Sequence, residues 1–173
     1  MSGPCRVDDE NPPAWTAEPI RDFIDFHRAS RDQIAAALAF TTGSAALGAE
    51  AADEAVARAF ARWSAVAAMD NPSGWVYRTG LNWARSWRRR HRREKLGADN
   101  HQIGVTVDRA DVDLARAMTD LDDKHRAVVV LRYYLGHSTA DTAQILAVSE
   151  GTVKSRLSRA LDKLHNALET DDD

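Results

Sequence analysis

Apolar residues recur every three or four positions along most of the chain, a spacing that predicts an all-α fold. The sharpest instance runs from Asn71 to Lys95. At about 100° per residue, Val76, Gly80, Trp83, Ala84 and Trp87 gather on one helix face, flanked by Tyr77 and Leu81. Asn71-Pro72-Ser73 reads as the helix start, with Ser73 as N-cap. The opposite face carries Trp75, Arg78, Asn82, Arg85, Arg89 and Arg93. Like charges three and four residues apart repel along a helix, so an arginine-lined outer face makes most sense with a polyanion lying on it. An exposed Trp75 among guanidinium groups suits base stacking, and Asn82 suits hydrogen bonding to a base edge. A plainer reading stays open from this stretch alone: a solvated arginine-rich helix whose Trp75 caps the core.

Elsewhere the pattern is shorter but legible. Residues 1–18 read as a polar, proline-containing, disordered arm with Trp15 as its one apolar anchor. From Pro19, Ile20, Phe23, Ile24, Ile34 and Leu38 predict a helix interrupted near Ala29-Ser30, with a break at Thr41 to Ser44. A second helix, about Leu47 to Trp63, places Val56, Phe60 and Trp63 on its apolar side and Glu50, Asp53 and Glu54 on the other. With the basic helix this makes a three-helix domain over 19–95, acidic on one face and basic on another. Residues 96–112 lack helical period and read as a linker. A flexible chain of about 17 residues spans on the order of 25 Å and more when stretched, enough to separate two domains by over one DNA turn of roughly 34 Å.

A second domain is expected over 113–168, followed by an acidic tail, 169–173. Leu114, Ala117, Met118 and Leu121 suggest a short helix, and an apolar run from Lys124 to Tyr134 ends at Gly136. Next come a helix from Thr139 to Leu146, a turn at Ala147-Val148-Ser149, and a helix from Glu150 to about Leu168 capped by Ser149. Ala143 allows close helix crossing, while Val148 and Val153 plug the angle. Val153, Leu157, Ala160, Leu161 and Leu164 form the expected buried side of the last helix. Thr152, Ser155, Arg156 and Arg159 face outward, with Lys154 at the flank. That is a helix-turn-helix whose second helix enters the DNA major groove; a generic helical hairpin with surface cations is the alternative.

Charge sharpens this picture. Arg85 to Lys95 holds seven cations and one acid, a net +6, so the rest of a chain of net charge −3 carries −9. The distribution, more than the total, points to a polyanionic partner. One cysteine, Cys5, rules out an intrachain disulfide and a Cys-based zinc site, and the histidines show no ligand spacing, so no metal and no cofactor are expected. The N-terminus lacks signal-peptide features and no segment approaches the roughly 20 apolar residues of a membrane span. A cytoplasmic protein without membrane insertion is expected.

These segments together resemble the extracytoplasmic-function sigma factors of bacterial RNA polymerase, of actinobacterial type. Leu121 to Leu164 (LDDKHRAVVVLRYYLGHSTADTAQILAVSEGTVKSRLSRALDKL) looks like their C-terminal promoter-binding domain. Gly48 to Trp63 (GAEAADEAVARAFARW) looks like their polymerase-binding helix, and Asn71 to Glu94 is similar to the segment that opens the −10 element. The resemblance implies that Glu50, Asp53 and Glu54, supported by Phe60 and Trp63, grip the clamp helices of the largest polymerase subunit. It implies that Asn82 and the loop Ser64 to Ser73 recognise a flipped −10 base while Trp75, Arg78, Arg85 and Arg89 hold strand and phosphates. Thr152, Lys154, Ser155, Arg156 and Arg159 would read the −35 element, and an anti-sigma factor is an implied partner. The chain departs from the family in having Asp122 where many members have proline, Ala147 where the turn usually has glycine, and Glu50-Ala51-Ala52 as a diluted acidic stretch. An alanine forced into a left-handed turn costs about 1–2 kcal/mol.

The rival from another class is a stand-alone helix-turn-helix regulator with an N-terminal sensor or dimerisation domain. It predicts duplex binding without polymerase. An enzyme is a distant third, because the chain has no Gly-rich phosphate loop, metal cluster or acid pair near a histidine.

Overall fold

The computed structural model describes residues 17–94, 114 and 116–169. The expected arm up to residue 16, the linker 96–112, the Arg93 side chain and the tail from residue 170 lie outside the described residues. Everything regular in the described residues is helical.

Helix α1 (Ala17–Thr42) runs without the interruption expected at Ala29-Ser30, since neither glycine nor proline stands there to end it. It stops at Gly43, whose φ of +70° suits glycine alone, and Ser44 caps α2 (Ala45–Phe60) by accepting from the Leu47 N–H. Thr41 and Thr42 belong to α1 and donate back to the carbonyls of Ala37 and Leu38 at 2.9 and 2.8 Å. Small residues let α1 and α2 approach closely: a Cβ at Gly48 would lie 2.4 Å from the Ala39 nitrogen. Ala51, Ala52, Ala55 and Ala59 continue that buried stripe.

The second helix is shorter than its apolar pattern suggests. Arg62 leaves helical geometry (φ −139°, ψ 35°), and Trp63 opens a separate short helix, α3 (Trp63–Ala67). The turn brings Trp63 onto Phe23 and Phe26, with ring centroids 5.3 and 4.9 Å apart. The loop expected from Ser64 to Ser73 therefore begins inside a helix.

Helix α4 (Pro72–Glu94) crosses α1 and α2. Its cap is Asn71, not Ser73: the Asn71 carboxamide oxygen accepts from the Gly74 N–H at 2.8 Å, and Pro72 takes the first helical position, where its missing N–H does no harm. Val76, Tyr77, Gly80, Leu81 and Ala84 are buried as expected, and Trp83 and Trp87 are half-buried. A Cβ at Gly80 would sit 2.6 Å from Leu38 Cδ1 and 2.9 Å from the Ala51 carbonyl oxygen, so glycine sets how closely α4 settles on both neighbours. Each fully buried Leu or Val in this core contributes about 1.5–3 kcal/mol.

In the C-terminal segment, Ala117, Met118 and Leu121 are buried, while Leu114 is exposed. Asp122, the residue standing where relatives carry proline, caps α5 (Asp123–Val129) by accepting from the Lys124 and His125 N–H groups at 3.0 Å. The helix widens into a π turn over Val130–Tyr134 before Gly136 (φ +69°) reverses the chain. Ser138 and Asp141 form a reciprocal capping box at the start of α6 (Thr139–Leu146). The Ser138 hydroxyl and N–H hold the Asp141 carboxyl below its ordinary pKa. Helix α7 (Glu150–Glu169) completes the chain.

The two segments are not separated. One apolar cluster includes Ile34 and Leu38 of α1, Tyr77 of α4, Leu131 of the π turn, Ile145 of α6 and Leu164 of α7. A tether with two independent modules is thus an incomplete picture: the described residues pack as one body.

Candidate nucleic-acid interface

The helix-turn-helix is built locally. Val128, Ala143 and Val153 form a small buried cluster, with Leu146, Val148 and Leu157 packed against it. Ala147 ends α6 in the left-handed region (φ 53°, ψ 52°), and the Val148 N–H returns to the Ala143 carbonyl at 3.0 Å. Ser149 then caps α7, its hydroxyl accepting from the Thr152 N–H at 3.1 Å.

This geometry turns one face of α7 outward. Thr152, Ser155, Arg156 and Arg159 follow the i, i+3, i+4, i+7 spacing of a single stripe, with Ser155 and Arg159 exposed and Thr152 and Arg156 half-exposed. The Thr152 hydroxyl lies 2.9 Å from that of Ser149, and Ser155 donates to the Thr152 carbonyl at 3.1 Å. Lys154 is exposed but lies about 100° beyond Val153 on the far side, so it does not share the stripe. Leu161, expected in the core, is 39% exposed; Val153, Ala160 and Leu164 carry the buried face.

On α4, Trp75, Arg78, Asn82, Arg85 and Arg89 fall within one stripe. Arg78, Asn82 and Arg89 are exposed and Arg85 is half-buried. Trp75 is not the free indole expected: it is half-buried and packs against the apolar cluster, leaving part of its ring to solvent. Arg89 reaches back to the Ser86 hydroxyl at 3.0 Å.

The acidic face of α2 is partly neutralised. Arg31 of α1 donates twice to Asp53, at 2.6 and 3.1 Å, and also reaches Asp32; these bonds, led by that to Asp53, raise the Arg31 pKa. Glu54 accepts from Arg58 at 2.7 Å, one turn on, while Glu50 is exposed. Beside this face Phe60 is 54% exposed and leans on Phe23, centroids 4.9 Å apart, next to half-buried Trp63. An exposed aromatic edge bordered by carboxylates suits a protein partner carrying apolar and cationic groups.

Sequence reasoning missed Arg31 and Arg88. Arg88 lies roughly 100° from both the core stripe and the arginine stripe of α4, a boundary position that was the one available signal. Its guanidinium is claimed by the C-terminal segment: it donates to the Asp123 carboxylate at 2.9 and 3.2 Å and to the Thr42 carbonyl. No cluster of three or more metal-ligating side chains and no helix long and apolar enough to cross a membrane occurs among the described residues.

A family profile, Sigma-70 region 4, matches residues 111–164. The RNA polymerase sigma-E factor of Streptomyces antibioticus is 35% identical over 123 residues, covering 68% of this chain and 68% of the relative. The ECF RNA polymerase sigma factor SigL of Mycobacterium tuberculosis is 32% identical over 138 residues, covering 74% and 78%. A match of that extent reaches well beyond the helix-turn-helix and sets aside the stand-alone regulator. Among solved structures, the sigma factor RpoE of Bartonella quintana, in complex with the anti-sigma factor NepR, superposes with a TM-score of 0.78 at 22% identity, covering 87% of this chain and 99% of that one. CnrH, in complex with the cytosolic domain of CnrY, superposes with a TM-score of 0.61 at 24% identity, covering 88% and 90%. Helix order, helix-turn-helix and relatives agree: the chain belongs to the extracytoplasmic-function sigma factors of bacterial RNA polymerase.

Proposed function

We propose that this sigma factor docks on core polymerase through α2 and acts on two promoter elements from one chain. Residues 19–95 form the polymerase-binding and −10 unit, 113–168 the −35 unit, and 96–112 the tether between them. Glu50, Asp53 and Glu54 meet cations on the clamp helices of the largest subunit, while Phe60 and Trp63 supply the apolar contact. Thr152, Ser155, Arg156 and Arg159 enter the major groove of the −35 duplex, and Lys154 holds a flanking phosphate.

At the −10 element Asn82 reads an extruded base beside Trp75, and Arg78, Arg85 and Arg89 hold the strand. Extrusion costs a few kcal/mol per base, and stacking on an aromatic ring returns about 1–3 kcal/mol. Single-strand binding therefore traps an opening that polymerase contacts help to create. The role is regulatory, with no catalytic step in this chain, and it is played in the cytoplasm beside the polymerase. An anti-sigma factor is a fitting inhibitor, given that NepR is bound to the Bartonella quintana relative.

The observation that carries this reading is the coexistence of the outward polar stripe on α7 with the arginine stripe on α4. In vitro transcription with purified core polymerase and a randomised promoter library tests it. Added protein is expected to produce transcripts whose start sites share one upstream pair of motifs. Failure to associate with core polymerase at any salt or concentration would overturn the proposal.

A further inference from the structure

Arg88 stands on the most basic helix of the chain, yet its side chain points into the seam between the two segments. Its guanidinium lies against the Asp123 carboxylate, with side chains only 23% and 28% exposed. Asp123 also accepts from Arg126 at 2.6 Å, so two guanidinium groups share one carboxylate. The cluster is half-buried and carries one excess positive charge. Arg126 in turn packs on the α1–α2 corner, its Nη1 3.0 Å from where a Cβ on Gly43 would be.

The surrounding seam is thin. At one edge Phe40 of α1 meets Tyr134 of the π turn, centroids 5.4 Å apart, and Tyr134 is 43% exposed. At another, Gly74 of α4 abuts Ile145 of α6, where a Cβ would come within 2.9 Å of Ile145 Cδ1. A carboxylate shared by two cations has an obvious competitor in a phosphate, which offers more acceptor oxygens and the same planar fit to a guanidinium.

We propose that Asp123 latches the chain closed by occupying Arg88, and that a nucleic-acid phosphate releases the latch by taking Arg88 in its place. The inference rests on the proposed function, since it makes Arg88 a further strand contact of α4 and ties its availability to separation of the two segments. In the closed form the −35 stripe and the −10 stripe belong to one compact body. Promoter elements more than one helical turn apart, roughly 34 Å, require the segments to part. Closure reduces apparent affinity in proportion to the fraction of molecules that are closed.

Asymmetry in the cluster makes the latch testable. Asp123→Asn leaves Arg88 and Arg126 facing each other without a counter-charge. Arg88→Ala leaves Asp123 paired with Arg126 inside one segment. Distance between segments is read by energy transfer on the full chain with Cys5→Ser and dyes on Ala57→Cys and Lys163→Cys, both exposed positions. Either latch variant is expected to lower transfer efficiency, Asp123→Asn more strongly. A single-stranded oligonucleotide is expected to lower it in the otherwise unaltered chain and to add little in Asp123→Asn. Unlabelled Asp123→Asn is expected to reach half-maximal transcription at about three- to tenfold less protein.

Unchanged transfer in both variants, with helical circular dichroism intact, overturns the latch. Should a variant lose its helical signal, Tyr134→Ala at the seam edge decides by the same readout: lower efficiency supports closure and unchanged efficiency refutes it. The two proposals fail separately. Without polymerase association the assigned function falls while the distance measurement stands; with association but no change in distance, only the latch falls.

Discussion

The Tyr77 hydroxyl lies 2.7 Å from the Thr41 hydroxyl, and both side chains are fully buried where α4 crosses α1. Thr41 already donates to the Ala37 carbonyl at 2.9 Å, so Tyr77 donates and Thr41 accepts. The two partners are therefore unequal. Thr41→Val strands a buried phenolic donor and is expected to lower stability by about 1–3 kcal/mol. Tyr77→Phe removes the donor and leaves Thr41 satisfied, lowering stability by about 1 kcal/mol. Urea unfolding of both single variants and the double variant measures the difference; equal losses would contradict the assigned direction.

Burial also pushes the Tyr77 phenol well above its ordinary pKa, with the Thr41 contact opposing. A group whose folded pKa is raised contributes stability that is present below its unfolded pKa of about 10 and lost as pH climbs further. Stability is expected to fall above about pH 10, and Tyr77→Phe is expected to flatten that fall. Thermal melts between neutral and alkaline pH provide the comparison.

Arg156→Ala and Arg159→Ala probe the α7 stripe. Each is expected to weaken −35-dependent initiation by about 1–3 kcal/mol while leaving polymerase association intact. Lys154→Ala, off the stripe, should weaken binding to all sequences alike and reduce the salt slope by about one. Loss of polymerase association in the arginine variants would move them to a different surface.

The contrast between α7 and the interdomain seam shows what the sequence made legible. The Ser149 cap, the Ala147 turn and the plugs Val148 and Val153 act within a few residues of one another, so local pattern determined the helix-turn-helix. Arg88 and Asp123 are 35 residues apart, and Arg31 and Asp53 are 22 apart. Nothing local signals such pairs, because they form only once three helices have set their crossing. Trp75 and Leu161 illustrate the same limit: helical periodicity places a side chain on a face, but the neighbours decide whether that face is covered. Asn71 displaced Ser73 as cap because Pro72 was already suited to the first helical position.

Asp53→Arg combined with Glu54→Arg reverses the acidic face of α2. It is expected to abolish co-purification with core polymerase, since cations would then face cations. The bond from Arg31 complicates this, because Asp53→Arg also repels Arg31. Arg31→Ala is the matching control. A pair this exposed contributes about 0–1 kcal/mol, so Arg31→Ala should barely change stability. It should leave polymerase association equal or stronger by freeing the Asp53 carboxylate. Normal pull-down by the double reversal would remove α2 from the interface.

Ala147 occupies the left-handed region that relatives usually fill with glycine. A left-handed alanine costs about 1–2 kcal/mol, while glycine adds about 0.5–1 kcal/mol of unfolded-chain entropy to be lost on folding. The strain outweighs the entropy, so Ala147→Gly is expected to stabilise the fold by about 0.5–1 kcal/mol. For a chain of this size that corresponds to a rise in Tm of roughly 1–4 °C. The substitution leaves α7 and its cap unchanged, because Ser149 holds the Thr152 N–H independently of residue 147. Differential scanning calorimetry reads the shift, and a lower Tm would mean that the alanine methyl makes a contact worth more than the backbone strain it imposes.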